Sequence, residues 1–178
     1  ALAFIVPQGL SYAVTFRVGM HYGANRLHLS RLAGYLGMAT GAVLMLLFAL
    51  LFWLLPEWII GLFLDRNDPV FADIITLAVS LLAIAAWFEL FDGLQSIAMG
   101  AIRGLNDGRT TLVIGLTGYW CVGAPLAWLL AFPFGWGAHG VWWGLAAGLA
   151  VTATGLVLGF RWKTARLQRP QAMQTCLP

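Results

Sequence analysis

The sequence has 178 residues, 61% hydrophobic and 10% charged, with a formal net charge of +3. A soluble domain carries roughly a quarter charged residues and needs polar faces on its helices, so this composition excludes a water-soluble globular fold. The basic residues gather between apolar stretches and form no patch with interleaved aromatics, which argues against nucleic-acid binding.

Five apolar stretches follow one another, at approximately 1–23, 31–55, 70–104, 110–132 and 138–161. A helix crossing a hydrocarbon layer of about 30 Å needs about 20 residues, so each stretch predicts a span. The fold class is therefore all-α, a polytopic transmembrane bundle of five spans.

The first stretch begins at Ala1 without a charged leader, so it does not read as a signal peptide. A chain opening inside a helix is expected to be a piece of a longer protein. Pro7 lies in this span, followed by Gln8 and Tyr12, and a proline can loosen backbone carbonyls toward a cavity. Arg17, near the inner end, fits either an interfacial anchor or a gating role. Between the second and third stretches, Glu57–Leu64 alternates large apolar residues with little charge and predicts a short helix along the interface. The third stretch exceeds one crossing, so its first turn or two should project beyond the lipid.

Loop charges give a direction. Arg26 and Arg31 follow the first span, Arg103 and Arg109 bracket the turn after the third, and Arg161, Lys163, Arg166 and Arg169 follow the fifth. The remaining loops hold Glu57, Asp65, Asp68 and Asp73 against Arg66, or no charge at all over Phe132–His139. Lysine and arginine mark the cytoplasmic side, so the chain starts outside and ends inside, with residues 166–178 as a polar cytoplasmic tail. Small residues recur four apart at Gly37 and Gly41, Gly100 and Gly104, Gly144 and Gly148, and Gly155 and Gly159. That spacing permits close helix approach where lipid supplies no drive for association. Trp53, Trp58, Trp136, Trp142 and Trp143 fall near span ends, as an aromatic belt does.

The third span carries the chemistry. Helical residues turn by about 100°, so Glu89, Asp92, Ser96, Gly100 and Arg103 fall within an arc of about 80° and predict one polar face. Asp92 lies about 16 Å along the helix from Arg103, too deep to reach cytoplasmic water. Two carboxylates one turn apart favour holding a proton or a cation between them, and proton or sodium exchange suits such a pair. The bland alternative is a protonated carboxyl acting as packing glue. In the fourth span Tyr119 and Trp120 could line a pocket for flat cations, or simply pack, and Pro125 could kink the helix. Cys121 and Cys176 predict no disulfide, and His21, His28 and His139 have no metal partner in reach. No nucleophile motif, phosphate loop or metal-ligand cluster is present, so an enzyme is not expected.

At these residues the chain resembles the multidrug and toxic compound extrusion (MATE) transporters, in their NorM-type bacterial branch. Pro7-Gln8-Gly9-Leu10-Ser11, Arg17-Val18-Gly19 and Gly23-Ala24 resemble the family's eighth helix. Phe91-Asp92-Gly93-Leu94-Gln95, Gly100-Ala101-Ile102-Arg103-Gly104 and Asp107 resemble the tenth helix and its following turn. Tyr119-Trp120, Gly123 and Pro125, then Gly140-Val141-Trp142-Trp143-Gly144-Leu145, resemble the eleventh and twelfth. The resemblance covers about residues 1–165 and implies part of the second lobe of a two-lobe, twelve-helix antiporter in the bacterial inner membrane.

It further implies export of cationic amphipathic drugs in exchange for Na⁺ or H⁺ by alternating access. Asp92 matches the acidic residue used in cation coupling, with a possible Na⁺ there, no other metal and no cofactor beyond the coupling ion. Glu89 departs from a position often held by glutamine and moves cation binding toward this helix. Gln8, Tyr12, Arg17, Gln95, Ser96, Arg103 and Tyr119 would then serve the cavity or its gating. The expected partners are cationic amphipathic small molecules, the lipid bilayer and the missing N-terminal lobe, with no nucleic acid. The alternatives are a lipid-linked precursor flippase of the same superfamily, for which only Arg17 offers a basic cavity residue, or an inactive membrane remnant or scaffold.

Overall fold

The computed structural model describes residues 2–62 and 72–174, and among these every regular element is a helix. In chain order they are α1 (Leu2–Gly23), α2 (Leu27–Leu54), α3 (Pro56–Gly61), α4 (Ala72–Gly104), α5 (Gly108–Leu116), a π-helical segment (Thr117–Gly123), α6 (Ala124–Ala131) and α7 (Gly137–Gln174). The segments Leu27–Leu54, Ile74–Gly104, Gly108–Ala131 and Gly137–Leu167 are each long and apolar enough to cross a membrane. These coincide with the second to fifth predicted spans, and the protein is a multi-pass membrane protein.

The first predicted span forms α1 as a 22-residue helix that continues through Pro7. It is long enough to cross, but Gln8, Arg17 and His21 leave it less apolar than the other four. A short helix does form over the expected stretch, as α3, starting at Pro56; residues 63–64 of that prediction, together with Asp65, Arg66 and Asp68, lie outside the described residues. The polar tail does not begin as coil, because α7 runs on to Gln174. Its 38 residues give a helix of about 57 Å, well beyond the lipid thickness.

The central helix is α4, which touches α1, α2, α3, α5 and α7. Two seams of small residues set its surroundings. Along the first, Ser11 Oγ donates to Ser96 O at 2.6 Å and Thr15 Oγ1 to Gly100 O at 2.9 Å, with the same offset of 85 residues. A constant offset means that α1 and α4 run parallel. A side chain on Gly100 would meet Ser11 O at 2.6 Å, and one on Gly104 would meet Thr15 O at 2.8 Å.

Along the second seam, Gly140 lies against the backbone of Ala131, Gly144 against Ala127 and Gly148 against Gly123. Stepping forward along α7 steps back along α6, so these two helices are antiparallel. The predicted small pairs at Gly37 and Gly41 and at Gly155 and Gly159 also sit in contacts, with Val14 and Ile97 and with Ile114. The core lies where α1, α2, α4 and α7 converge, around Val18, Met38, Ile97, Ile102, Leu156 and Phe160. Asn25 and Asn106 close the turns after α1 and α4 with φ of 58° each, a left-handed conformation that asparagine tolerates better than most residues.

Candidate functional site

The acidic pair sits on α4 above that core. Glu89 and Asp92 are both half-buried. Residues three apart on a helix share a face, with Cβ atoms about 5–6 Å apart, so the two carboxyls are neighbours. Glu89 Oε2 is buried and has no hydrogen-bond partner among the described residues. A buried carboxylate without a partner is costly, whereas a shared proton or bound cation relieves both the burial and the mutual repulsion. The arrangement can therefore bind a proton or a monovalent cation.

Of the polar face expected from Glu89 through Arg103, Glu89, Asp92 and Ser96 are half-buried, Gly100 is buried and Arg103 is exposed. Ser96 O and Gly100 are taken up by Ser11 and Thr15 of α1, inside the seam. Arg103 is exposed on the other side, where Nη2 lies 3.0 Å from Met99 Sδ. So α1 covers the edge of this arc at Gly100, and the other four residues stay at least partly exposed.

On the α5 side, Gln95 is only 4% exposed. Its amide meets the Tyr119 hydroxyl, with Nε2 at 2.9 Å and Oε1 at 3.0 Å. Below this contact a groove of about 610 Å³ runs between α4 and α5, lined by Met99, Arg103, Thr111, Leu116, Tyr119 and Trp120 among others. Tyr119 and Trp120 thus line a pocket together, and Gln95 joins them to the helix that bears the acidic pair.

Tyr119 owes its position to the π-helical segment. Pro125 offers no N–H and its ring crowds the carbonyl four residues back, which disfavours a regular α-helical turn there. The Ala124 N–H instead reaches back five residues to Tyr119 O. Gly118 and Gly123, five apart, both face α7 as a result, Gly118 against Thr152 and Gly123 against Gly148. In a regular helix residue 119, four before Gly123, would take the α7-facing place. The extra residue in the turn rotates Tyr119 away from α7 and onto Gln95. The one sequence signal for this was Pro125 together with a five-residue glycine step facing four-residue steps on α7.

The α1 candidates stay apart from the groove. Gln8 Nε2 donates to Tyr12 OH at 3.3 Å on a surface where Tyr12 is exposed. Arg17 is exposed and lines, with His21, a separate cleft of about 280 Å³ between α1 and α2. Ser11 and Thr15 were not expected to hold α4; their spacing with Gly19, four residues apart each time, was the available sign.

Beyond the groove's lower end, Asp107 clamps the α4–α5 turn. It caps α5 by accepting from Thr110 N at 3.1 Å and from the Thr110 hydroxyl, and it pairs with Lys163 of α7. Lys163 first, and Thr110 next, hold the Asp107 carboxyl below its ordinary 3.8, at about 2.

Residues 1–129 match the sequence profile of the MatE family. A probable multidrug resistance protein NorM of Pseudomonas aeruginosa is 66% identical over 166 residues, which is 93% of this chain and 34% of that protein. The chain thus spans about a third of the length of such curated relatives. Two solved structures share the fold, an outward-facing and an inward-facing conformation of a multidrug resistance MATE family transporter of the MOP superfamily. Their TM-scores are 0.83 and 0.82 at 19% identity; each match covers 94% of this chain, and 37% and 38% of theirs respectively.

Proposed function

The chain belongs to the MatE family, and on that premise we propose that it forms part of a multidrug antiporter exporting cationic amphipathic compounds in exchange for Na⁺ or H⁺. The observation that carries this reading is the half-buried pair Glu89 and Asp92 within a membrane-spanning helix, with Glu89 Oε2 lacking a partner among the described residues. Ionisable groups at such depth mark ion paths, because only a bound ion, a proton or a wet cavity relieves their cost. Asp92 is the coupling residue and Glu89 assists it.

The cation loads at Asp92 and favours one arrangement of the transporter, while the drug favours the other, so the two ligands compete through a population shift. The groove between α4 and α5, walled by Tyr119 and Trp120, contributes a surface for flat ligands. Family membership puts the protein in the bacterial inner membrane, and the loop charges put its C-terminal end in the cytoplasm. A flippase for lipid-linked pyrophosphates is less well supported, since Arg17 sits in a cleft separate from the groove.

The test is cation-driven efflux of a fluorescent cationic dye from vesicles holding the full-length protein. The parent should export the dye, Asp92→Asn should abolish ion-driven export, and Glu89→Gln should weaken it. Equal export by parent and Asp92→Asn would make Asp92 packing glue and remove the coupling site from this helix.

A further inference from the structure

We propose that Gln95 and Tyr119 form a latch released by cation loading at Asp92, and that the π-helical segment places Tyr119 for this role. The inference rests on the coupling role given above to Asp92. Asp92 and Gln95 stand three residues apart on α4, so their side chains are neighbours on adjoining turns. The Gln95 amide is buried and committed to the Tyr119 hydroxyl through both its polar atoms.

Gln95 Oε1 is a neutral oxygen of the kind that hard monovalent cations accept as a ligand. A cation at Asp92 draws Oε1 toward itself and breaks the contact with Tyr119. A proton on Asp92 acts on the same amide by offering it a donor. Tyr119 is then free to swing into the groove, which it already lines beside Trp120. With the latch closed, the Tyr119 ring is held at the groove's end and the space stays open for a flat ligand. Ion and ligand thereby exclude one another within a single lobe, without a shared binding position.

The π-helical segment makes this possible. Gly118 occupies the place against Thr152 that residue 119 would take in a regular helix, and no tyrosine ring fits there. Tyr119 is a positioning residue, and acts on the ion site only through Gln95.

The experiment uses full-length protein in lipid nanodiscs with ethidium, a flat monocation, as the probe. Ethidium affinity is measured with and without saturating coupling ion, Na⁺ or low pH, and the ratio is the coupling factor. Tyr119→Phe keeps the ring and removes only the hydroxyl; Gln95→Met keeps the length and removes the amide. Each should shrink the coupling factor by about two- to tenfold, the range expected for one neutral hydrogen bond. The double variant should lose no more of the coupling factor than either single one.

An unchanged factor in both variants, with Asp92→Asn still abolishing it, overturns the latch and leaves the coupling role of Asp92 standing. Additive losses in the double variant also overturn the latch. A factor that survives Asp92→Asn overturns the coupling reading, and the latch with it.

Discussion

Gly148 and Gly155 belong to the same run of small residues on α7, yet replacing each by alanine should have unequal consequences. A methyl on Gly148 would lie 2.7 Å from Gly123 Cα and 3.1 Å from both Gly118 O and Gly123 N. All three are backbone atoms, so no side-chain rotation relieves them. Carbon atoms in contact prefer about 3.5–4.0 Å, which means that the two helices must part by about 1 Å. Such a gap forfeits a quarter to a half of each facing dispersion contact, and overpacking of this kind costs about 1–3 kcal/mol.

The methyl on Gly155 would meet only Ile114 Cγ2, at 2.9 Å, a single side-chain methyl that a shift of a few tenths of an ångström relieves, and no backbone atom. Alanine is also the better helix former, by about 1 kcal/mol over glycine. The net expectation is about 2 kcal/mol lost for Gly148→Ala and a change near zero for Gly155→Ala. Thermal unfolding of the purified full-length protein, followed by size-exclusion after heating, reads the difference. A cooperative unit of this size shifts by about 2–4 °C per kcal/mol. Equal shifts for the two variants would refute the claim that backbone contact, rather than small-residue spacing, decides the cost.

Other outcomes follow from the same geometry. Asp107→Asn keeps an α5 cap but loses the pair with Lys163, whereas Asp107→Ala loses both and should cost about 0.5–2 kcal/mol in thermal stability. Because the folded carboxyl sits at about 2, below its ordinary 3.8, its contribution is fully present above the ordinary value and disappears as pH falls through about 2. Asp107→Asn should therefore flatten the acid limb of a stability-against-pH curve; an unaltered limb would remove the clamp from the account. Ser11→Ala deletes the donor to Ser96 O and should cost about 0.6 kcal/mol, the average for such bonds between membrane helices. Ser11→Leu should cost far more, since that side chain faces Gly100; matching values for the two would show that the seam tolerates bulk.

The sequence by itself determined the solvent, the helical class and the approximate ends of the spans. These follow from one-dimensional requirements: enough apolar residues to cross the lipid, with every backbone group bonded inside its own helix. It also singled out Glu89 and Asp92, because a carboxylate in an apolar stretch is conspicuous wherever the helix points. The four pairs of small residues were legible too, and all eight glycines sit in close contacts.

Direction was a different matter. The polar stripe from Glu89 to Arg103 was drawn as one face, and the fold covers it at Gly100 with Ser11 and Thr15 of α1. The Gln95–Tyr119 contact was out of reach, because it depends on one additional residue in the turn before Pro125. Asp107 and Lys163 are 56 residues apart, and only the packing of α7 beside the α4–α5 turn joins them. Hydropathy adds along a helix and survives any rotation, but contacts depend on the rotation itself. A single residue turns the helix by about 100°, so which groups meet was decided by the tertiary structure alone.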